Sequence, residues 1–218
     1  ADQLSPFRTY DTWPDVPPFA GAPVLIISAD ALRADQVVDG TVGPNLGALV
    51  ERSHVYRRAY TTIPITLPTL QSIAHGQYPG RRTTDHSWNL LEALREAGYS
   101  TQLFCHASDG TRAAIGDPAA RGIEDLNHCS PFDDATSTPA LATVTARWIA
   151  TAEGAREFVW VHLPDPHAPY LRDDGSQVGS AFSRYQQSVR RVDRAVGEIL
   201  SALDASEDWL ILFLSDHG

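Results

Sequence analysis

The sequence predicts an α/β fold, a mostly parallel central sheet flanked by helices on both faces. Three observations carry this. Four short apolar runs, Val24 to Ser28, Tyr99 to Phe104, Phe158 to Leu163 and Trp209 to Leu214, alternate with stretches of helical spacing. Three of the runs, Val24 to Ser28, Phe158 to Leu163 and Trp209 to Leu214, are strongly apolar and rich in β-branched or aromatic residues, as strands covered on both faces require. With 218 residues, of which 43% are hydrophobic, the chain can bury a sizeable core as one large domain.

The elements follow in order. Residues 1–23 are rich in Pro, Asp and aromatics without a clean period and are expected to form an irregular arm; residues 24–218 form the α/β domain. Val24 to Ser28 is a buried strand ending at Asp30. Asn45 to Arg52 has helical spacing with Leu46 and Leu49 on one face, and Val55 to Tyr60 fits a short strand. Thr66 as N-cap, Pro68 in the first turn and Gly76 as stop bound a helix carrying Leu70, Ile73 and Ala74. Asn89 caps a helix over Leu90 to Ala97, Gly98 closes it, and Tyr99 to Phe104 returns as a strand. Asp109 to Thr138 reads as loop. Pro139 to Ala152 is helical, Phe158 to Leu163 a strand, Ser180 to Leu203 a long amphipathic helix, and Trp209 to Leu214 the last strand.

Composition removes several function classes. The net charge of -10, with scattered basic residues, argues against a nucleic-acid partner. All 17 basic residues are arginine, so Schiff-base chemistry and a P-loop lysine are excluded. Cys105 and Cys129 are too few for a disulfide scaffold and lack zinc-site spacing; they read as buried thiols or one optional bridge. No apolar run approaches the roughly 20 residues of a membrane span. The first residues lack a basic-then-apolar targeting pattern, which points to the cytoplasm unless an export signal has been removed.

Chemistry gathers where strands end. In an open parallel sheet, ligands bind beyond the carboxyl ends of the strands. Here Val24 to Ser28 runs into Asp30, Phe158 to Leu163 into Asp165 and His167, and Trp209 to Leu214 into Asp216 and His217. One such aspartate is most often a cap or a turn residue. Three endings together suit one or two cations if the strands are near neighbours, since adjacent strands lie about 5 Å apart. A threonine before Leu-Pro at a helix start is likewise usually a cap. Coordination to a divalent cation and a helix amino end would instead favour its alkoxide, able to attack phosphorus or sulfur.

These residues carry a family resemblance. The run Leu25 to Asp35 resembles the opening strand and metal aspartate of the sulfatase and alkaline phosphatase superfamily. Pro44-Asn45-Leu46 with Leu49 resembles its next helix, Ala59 through Pro68 to Pro79 its nucleophile segment, Asp165-Pro166-His167-Ala168-Pro169-Tyr170 its substrate-side histidine loop, and Ser215-Asp216-His217-Gly218 its second metal motif. The resemblance runs in the family's order over Val24 to Gly218. It implies an alkaline phosphatase-like fold with part of the carboxy-terminal region missing, because relatives continue past the Asp-His-Gly motif.

Two departures shape the expected reaction. Formylglycine sulfatases carry Cys or Ser followed by a residue of any type, Pro, a small residue and Arg, whereas this chain has Thr66-Leu67-Pro68-Thr69-Leu70. Thr66 cannot become formylglycine, and Leu70 replaces the arginine that supports the aldehyde hydrate. The resemblance therefore shifts towards threonine-dependent phosphodiesterases, phosphonate hydrolases and head-group transferases. It implies Thr66 as covalent nucleophile, Asp30, Thr66, Asp216 and His217 around one cation, and Asp165 and His167 as a second metal or substrate pair, with His167 also readable as a structural loop residue. Zinc or manganese is favoured by the Asp-His pair, with calcium or magnesium as alternatives. Arg33, His75, Arg81 and His106 are lesser candidates. The expected partner is a small-molecule or head-group ester. Sulfate ester hydrolysis, a non-catalytic sulfatase-like module, and a receiver or flavin-binding domain are the competing readings.

Overall fold

The computed structural model describes residues 21–38, 43–78, 89–105, 137–152, 156–170, 175–203 and 208–218. Ten elements follow in chain order: β1 (Val24–Ala29), α1 (Ala34–Val38), α2 (Pro44–Glu51), α3 (Thr66–His75), α4 (Leu90–Glu96), β2 (Ser100–Cys105), α5 (Thr138–Thr151), β3 (Glu157–Leu163), α6 (Ala181–Ser201) and β4 (Leu210–Ser215). The strands form one sheet in the order β2-β3-β1-β4, every pair parallel. Val24, Leu25 and Ile26 of β1 lie opposite Phe158, Val159 and Trp160 on one side and Leu210, Ile211 and Leu212 on the other.

Alternation of side chains along these strands divides the core in two. Leu25, Ile27 and Ala29 of β1 join Val159, Val161 and Leu163 of β3 on one face, covered by Leu46 and Leu49 of α2, Leu141 and Ile149 of α5, and Val189, Val192, Val196 and Ile199 of α6. On the other face Ile26, Phe158, Trp160 and Leu103 meet Leu70 and Ala74 of α3 and Leu91 of α4. Helices therefore cover both faces, as the continuous apolar runs predict. Each fully buried Leu, Ile or Val contributes about 1.5–3 kcal/mol relative to exposure, which explains why β1 and β3 tolerate so few polar residues. Ser28 of β1 and His162 of β3 lie near the carboxyl ends of their strands, whereas Glu157 opens β3 at the other end.

Local chemistry sets the helix ends. Asn89 Oδ1 accepts from Leu91 N at 2.9 Å and Glu92 N at 3.3 Å, capping α4, and Ser180 Oγ accepts from Ser183 N at 3.1 Å. Helix α2 has no side-chain cap from Gly43. Instead Asp193, buried in α6, accepts from Leu46 N at 2.8 Å and Asn45 Nδ2 at 3.0 Å. A Cβ on Gly43 would lie 2.4 Å from that carboxylate, so only glycine admits the approach. Asp193→Ala should cost about 1–3 kcal/mol by leaving the cap N–H groups unpaired. That loss should lower the melting temperature by roughly 3–10 °C, read by thermal denaturation; an unchanged melt would contradict the cap's role.

Three expectations need correction. Val55 to Tyr60 is a largely exposed irregular segment with a turn at Arg57 and Arg58, and it pairs with no strand among the described residues to satisfy a ladder. Thr66 is the first helical residue, not the N-cap; Ile65 holds that position with extended geometry and no side-chain cap, so the Thr66 hydroxyl is available for other partners. Thr138 opens α5 instead of ending a loop, with Ser137 Oγ accepting from Ala140 N. Residues 1–20 of the arm, residues 109–136 of the expected loop, and Cys129 lie outside the described residues, and Cys105 is buried in β2. No described helix is long and apolar enough to cross a membrane.

Candidate active site

The site forms at the carboxyl ends of β3, β1 and β4, which the sheet order makes adjacent. Asp30 follows β1 directly, its N–H donating to Leu163 O at 3.0 Å as the parallel ladder continues. The chain then turns through Ala31 at a positive φ of 58, a conformation costly for a residue with a Cβ and common at functional sites. Three bonds hold this turn in place: Ala31 N donates to Asp216 Oδ1 at 3.0 Å, Leu32 N to Ser215 Oγ at 3.0 Å, and Arg33 N to Tyr185 Oη at 2.9 Å. The carboxyl ends of β1 and β4 and the first turns of α6 are thereby tied together.

Four side chains converge on one point. Thr66 Oγ1 donates to Asp30 Oδ1 at 3.3 Å and lies 3.3 Å from His217 Nε2. His217 Nε2 lies 3.5 Å from Asp30 Oδ1 and 3.7 Å from Asp216 Oδ2. Ligand atoms of Asp30, Asp216 and His217 all fall within 4.8 Å of one another, a spacing suited to a shared cation. Asp216 is 0% exposed, and its Oδ2 has no hydrogen-bond partner although Oδ1 also accepts from His217 N at 2.8 Å. A buried carboxylate oxygen without a partner is costly unless a cation compensates it. The donor set of two carboxylates, an imidazole nitrogen and a hydroxyl therefore fits a divalent ion.

The electrostatics agree. Burial, and after it the neighbouring Asp216 carboxylate, push the Asp30 carboxyl up to about 6 against the opposing pull of His167, His217 and the Thr66 hydroxyl. In the metal-free protein this raised value makes a sign-definite prediction. Between the ordinary carboxylate value of 3.8 and about 6, the folded state binds a proton that the unfolded state has lost, so stability is fully present below that window and falls as pH rises through it. With chelator present, wild type should lose on the order of 3 kcal/mol relative to Asp30→Asn across the window. Parallel stability-pH curves for the two proteins would refute it.

Not every expected residue joins the cluster. Asp165 is held by the Arg191 guanidinium through Nε at 3.1 Å and Nη2 at 3.0 Å, a two-pronged pair that occupies both carboxylate oxygens. Its place is thus a brace under the Asp165–Tyr170 loop, and Arg191 also reaches Ser188 Oγ at 2.8 Å. His167 stands exposed on the rim of the cluster, its Nδ1 2.7 Å from Ala168 O. Arg33 pairs with Asp35 at 2.6 Å beside the site. His75 ends α3, about 13 Å along the helix from Thr66, too far to share its chemistry. Arg81 and His106 lie outside the described residues.

Sequence reasoning missed His162. It is buried in β3 opposite Ser28, its Nδ1 2.9 Å from Ser28 Oγ and its Nε2 4.0 Å from Asp30 Oδ2. Trp160 Nε1 donates to the same serine at 2.9 Å, and Ser28 Oγ also reaches Val161 O at 3.4 Å, so a buried polar cluster stands directly behind Asp30. A polar pair at matching places in two apolar strands was the available signal. Tyr185 and Arg191 gave none beyond their place in an amphipathic helix.

A family model described as Sulfatase matches residues 23–218. The chain belongs to the sulfatase family. Its fold is that of the alkaline phosphatase superfamily, whose members generally use divalent metals. The choline-sulfatase of Rhizobium meliloti (strain 1021) is 32% identical to this sulfatase-family chain over 114 residues, 47% of the chain and 21% of that protein. The lipoteichoic acid synthase LtaP from Listeria monocytogenes superposes with a TM-score of 0.70 at 16% identity, over 90% of this chain and 56% of its own. The phosphonate monoester hydrolase of Agrobacterium radiobacter does so with a TM-score of 0.65 at 19% identity, over 90% and 62%. The chain therefore spans a fifth of the choline-sulfatase and less than two thirds of either solved structure.

Proposed function

We propose that this chain carries the nucleophile and cation ligands of a metal-dependent hydrolase or transferase of phosphate or phosphonate esters, acting through a covalent intermediate on Thr66. One observation carries the reading: the Thr66 hydroxyl sits 3.3 Å from both Asp30 and His217, beside the unpartnered Asp216 oxygen. A divalent ion held by Asp30, Asp216, His217 and Thr66 would lower the pKa of the hydroxyl and offset charge on the substrate oxygens. The Asp30 hydrogen bond orients the hydroxyl, and the amino end of α3, a ten-residue helix, favours its anion. With its proton released to solvent, Thr66 Oγ1 attacks phosphorus; the Oγ1–P bond forms as the ester P–O bond breaks and the departing alkoxide takes a proton. Water or an acceptor alcohol then releases the phosphoryl group from Thr66. His167, on the rim, is placed to contact the transferred group.

The names of the matching family and of the choline-sulfatase favour a second reading, sulfate ester hydrolysis. Against it, Thr66 cannot supply an aldehyde hydrate. Leu70, where formylglycine sulfatases place an arginine, is 0% exposed and packed under the sheet among Ile26, Leu91 and Trp160, so that position faces core and offers no charge to the site. A panel of aryl phosphate, phosphodiester, phosphonate ester and aryl sulfate with zinc, manganese or calcium separates these. Phosphorus esters should turn over fastest. Preference for sulfate would establish the second reading, and cation binding without turnover of any ester would indicate a binding module.

A further inference from the structure

A cavity of about 400 Å³ opens beside the cluster, lined by His217 and His167 together with Tyr170, Phe182 and Tyr185. We propose that this cavity receives the organic group of the ester and selects an aromatic or arylalkyl one; the proposal rests on the ester-cleaving reading above and names its substrate class. The volume is that of an ordinary small-ligand site and holds a single ring with room to spare.

The lining decides the chemistry. The Tyr170 and Tyr185 rings meet edge to face with centroids 5.5 Å apart, and Phe182 stacks near Tyr185 at 6.4 Å and 16°. Phe182 is 51% exposed, an apolar ring left open at the mouth. The Tyr185 hydroxyl accepts from Arg33 N at 2.9 Å and donates to Ala31 O at 3.2 Å, so this buried residue offers the cavity its ring instead of its hydroxyl. Ala31, Ala168 and Ala181 add small apolar surface. Such walls favour an inserted ring through apolar burial and edge or offset stacking.

The same lining disfavours two other classes. Sugars and polyols need many convergent side-chain donors and acceptors, yet the described lining residues include no Ser, Thr, Asn, Gln, Asp or Glu, and their polar groups are those of Arg33, His167, His217 and the two tyrosines. A quaternary ammonium group would gain from the rings. However, no carboxylate is among the described lining residues, whose charged or chargeable side chains, Arg33, His167 and His217, are all of the wrong sign. An arylalkyl group meets neither penalty.

The test uses the intact enzyme and three phosphonates that differ only in the organic group: benzylphosphonate, 2-hydroxyethylphosphonate and 2-(trimethylammonio)ethylphosphonate, with binding measured calorimetrically. Benzylphosphonate should bind about tenfold or more tightly than either of the others, and Phe182→Ala should cut that preference to about threefold or less. No binding of benzylphosphonate, equal or tighter binding of another, or a preference unchanged in Phe182→Ala overturns the proposal. The measurements are repeated in Thr66→Ala, because binding needs no nucleophile. If Thr66→Ala keeps turnover, the nucleophile assignment fails while the preference still stands; if the preference is missing but Thr66 is required for turnover, only the cavity assignment fails.

Discussion

Thr66→Ala should lower turnover of a phosphorus ester by at least about 10³-fold, the order of loss seen when a covalent nucleophile is removed. Its melting temperature should stay within about 1 °C of wild type, because a half-buried hydroxyl that caps nothing contributes little to stability. The contrast between the two readouts distinguishes a nucleophile from a structural threonine. Thr66→Ser should restore part of the activity, since it returns an oxygen to the same place while loosening the rotamer. Full turnover in Thr66→Ala would remove the central assignment, whatever the role of the neighbouring carboxylates.

The second large effect concerns Asp216. Its fully buried side chain leaves Oδ2 without a partner, a state that costs stability in the cation-free protein. Zinc or manganese at a hundredfold excess over its dissociation constant should stabilise wild type by about 2.7 kcal/mol, equivalent to roughly 5–10 °C in melting temperature, reversible by chelation. Asp216→Asn keeps an oxygen to accept from Ala31 N and His217 N but removes the charge. It should show almost no cation-induced rise and melt at least as high as wild type in chelator. A variant that retained the full metal response would exclude Asp216 from the binding set.

Much of this arrangement was legible because strand burial leaves a strong mark on sequence. Val24 to Ser28 and Phe158 to Leu163 are apolar without alternation, and only a strand covered by helices on both faces requires that. The convergence of Asp30, Asp216 and His217 was foreseeable only conditionally, since spacing cannot order strands; the adjacency of β1 and β4 supplies what was missing. The approach of Thr66 came from family resemblance, as nothing in its own ten-residue helix directs its hydroxyl 36 positions back along the chain. The pairing of Asp165 was not legible, because its partner Arg191 lies 26 residues later on another element and braces both carboxylate oxygens. Val55 to Tyr60 had strand-forming residues but pairs with no strand among the described residues, and propensity without a partner does not make a strand. His162 was hidden by its setting, a polar residue inside an apolar run whose purpose depends on register with Ser28.

The arrangement also explains why a costly turn persists. Ala31 adopts positive φ directly after Asp30, and the turn from Ala31 to Arg33 is held by Asp216, Ser215 and Tyr185 in succession. The same tyrosine forms a wall of the aromatic cavity, so the loop that positions Asp30 and the surface proposed to receive the substrate share one side chain.

The most direct test of the account is to mix enzyme with a phosphate ester, quench in acid within the first turnover, digest, and map phosphorylation by mass spectrometry. A phosphoryl group on residue 66, present after the quench and absent once substrate is exhausted, is the predicted result. Turnover of phosphate esters with residue 66 unmodified, or with the phosphoryl group on another side chain, would contradict it.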